Sequence, residues 1–343
     1  MTTRSGRVAT KTIRFGVVGV GSLGRHHARI LSSLDGATLV GIQDDDGDRA
    51  GAVSSEYDVP EFDDLDRLLG SVDALVVATP TSSHAAIAVA ALEAGTHVFV
   101  EKPIASTLAD ADSILDAAAR NGRIVQVGHV ERFNGAVRAA REFLDRPLFI
   151  ESHRLAPFVP RSTDVAVVLD LMIHDVDLVR SLVERPIESI AATGVPVITS
   201  MVDIANARLT FEGGAVANLT ASRVSPDRMR KLRIFQRSGY LSLDLATGRG
   251  EFLRLRESLP ALGGPADADP AVFEAGGNEA LVERIPIEGD GAEPLLKELE
   301  SFRDAVLGNQ APVVSGQDGR DALEVTLAIE KLIKTHVANT RTA

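Results

Sequence analysis

The chain has 343 residues, too many for one ordinary core, and its 45% hydrophobic and 24% charged content is that of a globular protein. A formal net charge of -12 excludes easy partnership with nucleic acid or an anionic membrane surface. The absence of cysteine excludes disulfides, thiolate catalysis and Cys-ligated metal, so no metal site is expected.

Residues 1–11 carry Arg4, Arg7 and Lys11 but no apolar stretch, and are expected to be a disordered tail rather than a signal segment. No apolar run is long enough to span a bilayer, and the lack of cysteine fits the cytoplasmic location expected. From residue 12 onward, apolar β-type runs at Ile13–Val18, Thr38–Ile42, Ala74–Ala78, His97–Val100 and Ile124–Val127 alternate with helical stretches such as His84–Ala94 and Leu108–Ala119. This alternation predicts βαβ units and a parallel sheet buried on both faces, a Rossmann-type α/β domain over residues 12–129.

The pattern changes near Val130. Helical periodicity returns at Gly135–Phe143 and Val168–Leu182. Leu209–Phe211 and Ala215–Leu219 flank Glu212-Gly213-Gly214, a hairpin signal, and β-type sequence follows at Leu232–Phe235, Tyr240–Leu245 and Phe252–Leu255. Residues 130–343 therefore read as an α+β domain with a large, mostly antiparallel open sheet. Ser258–Gly277, rich in Pro, Gly, Ala and Asp, reads as a mobile loop. Two helices, Glu293–Leu307 and Gly319–His336, close the chain and are expected to pack back toward the Rossmann domain.

Gly19-Val20-Gly21-Ser22-Leu23-Gly24 fits G-x-G-x-x-G between the first strand and the helix Leu23–Leu34. In that setting Gly19 permits the turn, Gly21 lets backbone approach a pyrophosphate, and Gly24 lets helix pack on strand. The N–H groups of Ser22 and Leu23 at the helix start suit an anion. Asp44 follows the second strand about 20 residues on, where an acid bonds ribose hydroxyls. With Asp45 and Asp46 it would repel a 2′-phosphate, which favours NAD over NADP. A glycine turn beside a solvated acidic loop is the bland alternative, and the joint register of strand, glycines, helix and acid argues against it.

Glu101-Lys102-Pro103 ends the strand His97–Val100, at the edge where ligands bind in such sheets. On the tripeptide alone, a surface lysine before a proline turn is an equal reading. Asp170 and His174, four apart, share one helix face, and histidine near neutral pH suits a base that takes a hydroxyl proton. On those two residues alone, a core histidine beside a surface aspartate is the better reading.

Taken together, these motifs resemble the glucose–fructose oxidoreductase/inositol dehydrogenase (Gfo/Idh/MocA) family in content, order and spacing. The likeness includes Ala78-Thr79-Pro80-Thr81-Ser82-Ser83-His84 and Arg132-Phe133-Asn134, and runs from about Thr12 to Ile333. It implies Lys102, Asp170 and His174 as the catalytic set, His174 as proton acceptor, and a cis peptide before Pro103. It implies that Thr79, Pro80 and His84, with Glu101 and Lys102, line the nicotinamide half of an NAD site, and that the second sheet forms a homodimer or homotetramer. His27 reads as helix packing. Many members carry Asn or His where this chain has Val130, and Pro where it has Gly135.

Val127–Asn134, Ser152–Phe158 and Asp170–Asp175 further resemble a branch that oxidises the 3-hydroxyl of UDP-N-acetylglucosamine to a ketone for diamino-sugar lipid A. Arg132, Arg154 and Arg161, with Asn134 and His174, would then contact a nucleotide sugar, the arginines facing its diphosphate. Ion pairs at a surface or interface are an equal reading for each arginine. A dehydrogenase of a free sugar or polyol such as inositol, and an NAD-binding sensor without turnover, are the competing functions.

Overall fold

The computed structural model describes residues 12–159, 166–255 and 282–341. The expected tail at 1–11, the expected loop Ser258–Gly277 and Arg161 lie outside the described residues. The chain divides into two compact units, Met1–Val130 with Glu293–Glu324, and Glu131–Ala292 with Val325–Ala343.

In the first unit, β1 (Ile13–Val18), β2 (Ala37–Gln43), β3 (Ala74–Val77), β4 (His97–Glu101) and β5 (Val125–Gly128) form a parallel sheet in the order β2-β1-β3-β4-β5. Every residue of β3 and β5 is buried, as continuous apolar strands require in a sheet covered on both faces. The helices between them are α1 (Ser22–Leu31), α2 (Gly47–Tyr57), α3 (Leu65–Leu69), α4 (Thr81–Glu93) and α5 (Leu108–Asn121). Asp46, Asp64 and Thr107 cap α2, α3 and α5 by accepting a main-chain N–H, satisfying donors that a helix start leaves open.

The late helix Pro294–Val306 completes this core. Its Phe302 is fully buried, with ring centroids 6.0 Å from Phe15 and 5.8 Å from Phe99. Buried Gln126 on β5 donates to the Glu298 carbonyl at 2.9 Å and accepts from Ser301 Oγ at 3.3 Å, fixing the helix in register.

The second unit is an eight-stranded sheet of β6 (Phe149–Leu155), β7 (Ile187–Val195), β8 (Ile204–Phe211), β9 (Val216–Ser222), β10 (Met229–Gln236), β11 (Gly239–Asp244), β12 (Arg249–Leu255) and β13 (Val282–Glu288). Its order is β13-β12-β11-β10-β6-β9-β8-β7, antiparallel throughout except for the parallel pair β6–β9. The expected hairpin lies between β8 and β9, where Gly213 and Gly214 adopt φ of 85° and 89°. One face of the sheet contributes Ile150, Leu219 and Ile234 to a core with α7 (Ile173–Val183) and the helix Gly316–Arg341. The opposite face carries a half-exposed aromatic strip, Phe149, Phe235 and Tyr240, at centroid spacings of 5.6 and 4.6 Å.

Two helices depart from the regular forms expected. Gly135–Phe143 is a short helix, α6 (Gly135–Ala140), followed by a 3₁₀ turn at Arg141–Phe143. Val168–Met172 is a π-turn that leads into α7.

Asp203 shows how the β7–β8 connection is held. Its buried carboxylate accepts main-chain N–H groups from Val197, Ile198 and Thr199 at 2.7–2.9 Å, and the Thr199 hydroxyl at 2.7 Å. Burial works against the charge, but these donors outweigh it and hold the group at about 2, below the usual carboxylate range. The carboxylate therefore contributes stability above about pH 4, lost as pH falls toward the folded-state value. Asp203→Asn is expected to lower unfolding free energy by roughly 2 kcal/mol at pH 7. In urea melts against pH, that gap should close between about pH 4 and pH 2; a pH-independent gap would contradict it.

Candidate active site

The glycine loop follows β1, and the Ala78-Thr79-Pro80 turn follows its neighbour β3. The chain order reverses between these two strands, which opens a crevice at their carboxyl ends. Gly19 has φ +81°, and a Cβ there would lie 2.7 Å from the Thr79 nitrogen. At Gly24 a Cβ would lie 1.7 Å from the Gly19 carbonyl oxygen, so helix and loop can meet only without a side chain. At Gly21 nothing lies within 4 Å, which leaves open space above the helix start. The first turn of α1 has no acid and no side-chain cap, so its N–H groups point into that space. The Leu23 and Ser22 side chains are both exposed there. The loop therefore fits a dinucleotide pyrophosphate.

Asp44 ties this loop to the end of β2. Its carboxylate accepts the Val20 N–H at 2.7 Å and pairs with Arg49 at 3.1 Å. Asp45 and Asp46 are exposed beside it. Sequence reading finds the acid but misses Arg49, whose place becomes visible only once α2 folds back and Asp46 caps it.

Around β4 the side chains form a chain of contacts. Fully buried His27 on α1 places Nε2 2.7 Å from Glu101 Oε1, and Glu101 Oε2 accepts the Lys102 N–H at 3.2 Å. Burial raises the Glu101 carboxyl, but the His27 hydrogen bond and the charges of His27 and Lys102 outweigh it and keep the group below its ordinary range. Gly128 on β5 makes room, since a Cβ there would come within 2.8 Å of Glu101 Oε2. His27 is thus more than helix packing: it holds the acid that orients the Lys102 main chain. The Lys102–Pro103 peptide is cis, as the resemblance implies.

His84 is also buried. Its ring nitrogens lie 2.9 Å from the Thr79 and Pro103 carbonyl oxygens, joining the β3–α4 turn to the turn after β4. Burial lowers its pKa below the ordinary imidazole value, with the two carbonyls opposing. Thr79 accepts a hydrogen bond from Ser83 at 2.8 Å, and Pro80 precedes the first turn of α4.

In the second unit, Asp170 lies in the π-turn and His174 in the first turn of α7, both half-buried. Arg132 and Arg154, two of the arginines expected to face a diphosphate, are buried in ion pairs. Arg154 donates to Asp175 at 2.7 Å and to Glu131 at 2.8 Å, while Arg132 Nε donates to Asp177 at 2.8 Å. Burial opposes the Arg154 charge, and the two carboxylates raise its pKa well above that cost. Asn134 uses its amide on Glu131 and the Leu245 carbonyl, and its oxygen caps α6 by accepting the Ala136 N–H. These three residues thus fix α6 and α7 on the sheet instead of offering open polar groups. Sequence reading misses the acids of this network, Glu131, Asp175 and Asp177, because nothing local marks a buried carboxylate until its arginine is placed. Among the described residues, no group of three or more His, Cys, Asp or Glu side chains could hold a metal ion, and no helix is long and apolar enough to cross a membrane.

Residues 13–129 match the oxidoreductase family with an NAD-binding Rossmann fold, and residues 124–242 match the Gfo/Idh/MocA C-terminal domain. The chain belongs to the Gfo/Idh/MocA oxidoreductase family. It is 35% identical over 328 residues to the UDP-N-acetylglucosamine 3-dehydrogenase of Acidithiobacillus ferrooxidans, covering 94% of this chain and 99% of that one. A solved structure of that enzyme superposes with a TM-score of 0.85 at 33% identity, over 94% of this chain and 98% of that one. The scyllo-inositol 2-dehydrogenase (NAD(+)) of Bacillus subtilis is 27% identical over 336 residues, 92% of each chain. As a Gfo/Idh/MocA protein, the chain carries its NAD-binding fold with the glycine loop and its acid in place.

The Asp44–Arg49 pair gives a cofactor test. Asp44→Ala removes the acid expected to meet a ribose and takes one of two carboxylates from the Arg49 guanidinium, which still pairs with Asp46 at 2.9 Å and suits a 2′-phosphate. NAD affinity is expected to fall at least tenfold and NADP affinity to rise. Asp44→Ala/Arg49→Ala should lose the NADP gain in fluorescence titrations, and equal NADP binding by the two variants would remove Arg49 from the account.

Proposed function

We propose that this protein oxidises a secondary hydroxyl of a nucleotide sugar to a ketone, with UDP-N-acetylglucosamine oxidised at C3 as the substrate. One observation carries the reading: near-full-length similarity to a UDP-N-acetylglucosamine 3-dehydrogenase, in a chain whose sequence has Lys102, Asp170 and His174. Bound NAD supplies the acceptor for the hydride leaving the carbon. His174 accepts the hydroxyl proton. The Lys102 ammonium donates a hydrogen bond to the same oxygen and stabilises negative charge as it develops there. Asp170 orients His174 and stabilises its protonated form. His27 and Glu101 keep Lys102 in place, and the Arg154–Asp175 and Arg132–Asp177 pairs keep α7 in place. Of the arginines expected at the diphosphate, Arg161 is the one we retain.

The aromatic strip of Phe149, Phe235 and Tyr240 supports association of two or four copies through the open face of the larger sheet. Use of NAD and a cysteine-free chain suit the cytoplasm. A polyol such as inositol is the second reading, favoured by the similarity to scyllo-inositol 2-dehydrogenase.

Purified protein with NAD and UDP-N-acetylglucosamine, coupled to an aminotransferase and glutamate, is expected to yield NADH and a 3-amino product. Turnover of inositol with no product from the UDP-sugar would overturn the substrate assignment in favour of the second reading. His174→Ala and Lys102→Ala should each lower kcat by about two orders of magnitude or more, with NAD binding by His174→Ala unchanged. Near-normal kcat in either variant would remove that residue from the mechanism.

A further inference from the structure

A cavity of about 890 Å³ lies within the second unit, lined by Arg141, Arg146, Arg185 and Arg237 beside Leu148 and Leu182. Four arginines line this one cavity in a chain whose net charge is -12. Several arginines elsewhere, among them Arg14, Arg25, Arg138 and Arg284, face carboxylates within 4.0 Å, whereas single exposed ones such as Arg67 and Arg249 do not among the described residues; what sets this place apart is four around one cavity. Among the described residues, none of the cavity's four arginines is held in an ion pair. Asp145 and Glu184 are the carboxylates in the wall, which leaves a local excess of positive charge.

The frame that carries these side chains is fixed by hydrogen bonds. Buried Gln236, at the end of β10, accepts the Asp145 N–H at 2.9 Å and donates to the Phe143 carbonyl, which pins the Arg141–Arg146 segment beside the turn that bears Arg237. Arg146 adopts φ +51°, a conformation few side-chain-bearing residues take. Arg185 lies over the β8–β9 turn, where a Cβ on Gly213 would come within 2.9 Å of its guanidinium. The Glu212 N–H donates to the Pro186 carbonyl at 2.9 Å and ties that turn to the chain leaving α7.

This cavity is not the site proposed for oxidation. Arg185 follows His174 by eleven residues, most of them in α7, a separation of about 16 Å at helical rise. The carbonyl end of α7 points toward the cavity, so its dipole cannot attract an anion and the arginines must supply the attraction.

We infer that this cavity binds a small molecule bearing two linked phosphates. Guanidinium forks match phosphate oxygens, the volume suits a ligand of nucleotide size, and the leucines offer an apolar surface for whatever the phosphates carry. The inference is independent of which sugar the protein oxidises.

Calorimetry at low ionic strength, with NAD saturating so that the glycine loop is filled, tests it with inorganic diphosphate and ADP as probes. Wild type is expected to bind diphosphate at one site per chain. Arg146→Glu/Arg237→Glu should weaken that binding at least tenfold while leaving NAD affinity unchanged. ADP binding equal to diphosphate would mean that the phosphates alone are read, and much tighter ADP binding would mean that a nucleotide is read. Absence of saturable diphosphate binding by wild type, or equal binding by the variant, would overturn the inference.

Discussion

The second unit depends on a constraint that is electrostatic before it is hydrophobic. Arg154 and Arg132 are buried with Asp175, Asp177 and Glu131, and none of these charges can stay in such surroundings without the others. Such a network adds little net stability over a well-packed apolar core, but losing one member strands its partner at a cost of about 3–5 kcal/mol. Its value is geometric. Asp175 and Asp177 are two residues apart in α7 and so leave it on different sides, and anchoring both sets the rotation of that helix on the sheet, and with it the direction of His174. An apolar contact at the same place would tolerate a small roll of the helix; two bidentate or near-bidentate pairs do not.

A different constraint governs the first unit, where close approach of bare backbone is decisive. Helix α1 can meet the strand turn only because Gly24 presents no side chain to the Gly19 carbonyl, and Glu101 can lie over β5 only because Gly128 leaves it room. The loop, the acid Asp44 and the His27–Glu101–Lys102 chain are consequences of that contact. Both units position a polar group through a rigid neighbour and not through the group's own packing.

These differences explain what could be read from the residues alone. The parallel strands are legible because burial, nearly complete in β1, β3, β4 and β5, makes them near-continuous apolar runs, and the glycine motif is legible because its spacing is set by backbone geometry. Strands β6, β7 and β13 go unmarked. Phe149–Leu155 and Val282–Glu288 mix apolar and charged residues without a period of two, and in the first the inward positions include Ser152 and Arg154, so neither carries the alternation that marks a strand. The π-turn at Val168–Met172 follows no side-chain pattern that a helical period would reveal. Arg132 and Arg154 are read as candidate anion ligands because the acids that neutralise them are distant in the chain or on the far side of a turn. Sequence spacing reports local geometry well, and charge pairing across a fold poorly.

The helix Pro294–Val306 has a consequence for biosynthesis. Phe302 fills the gap between Phe15 and Phe99, so a core that begins with the thirteenth residue is closed by one near the three-hundredth. A ribosome needs on the order of ten seconds or more to deliver that segment after the first sheet has emerged. Through that interval the nascent dinucleotide-binding half exposes the apolar surface that the helix will cover. The elongating chain is therefore most exposed to chaperones and aggregation while its sheet is already complete, and a fragment ending near residue 130 would carry that exposure permanently.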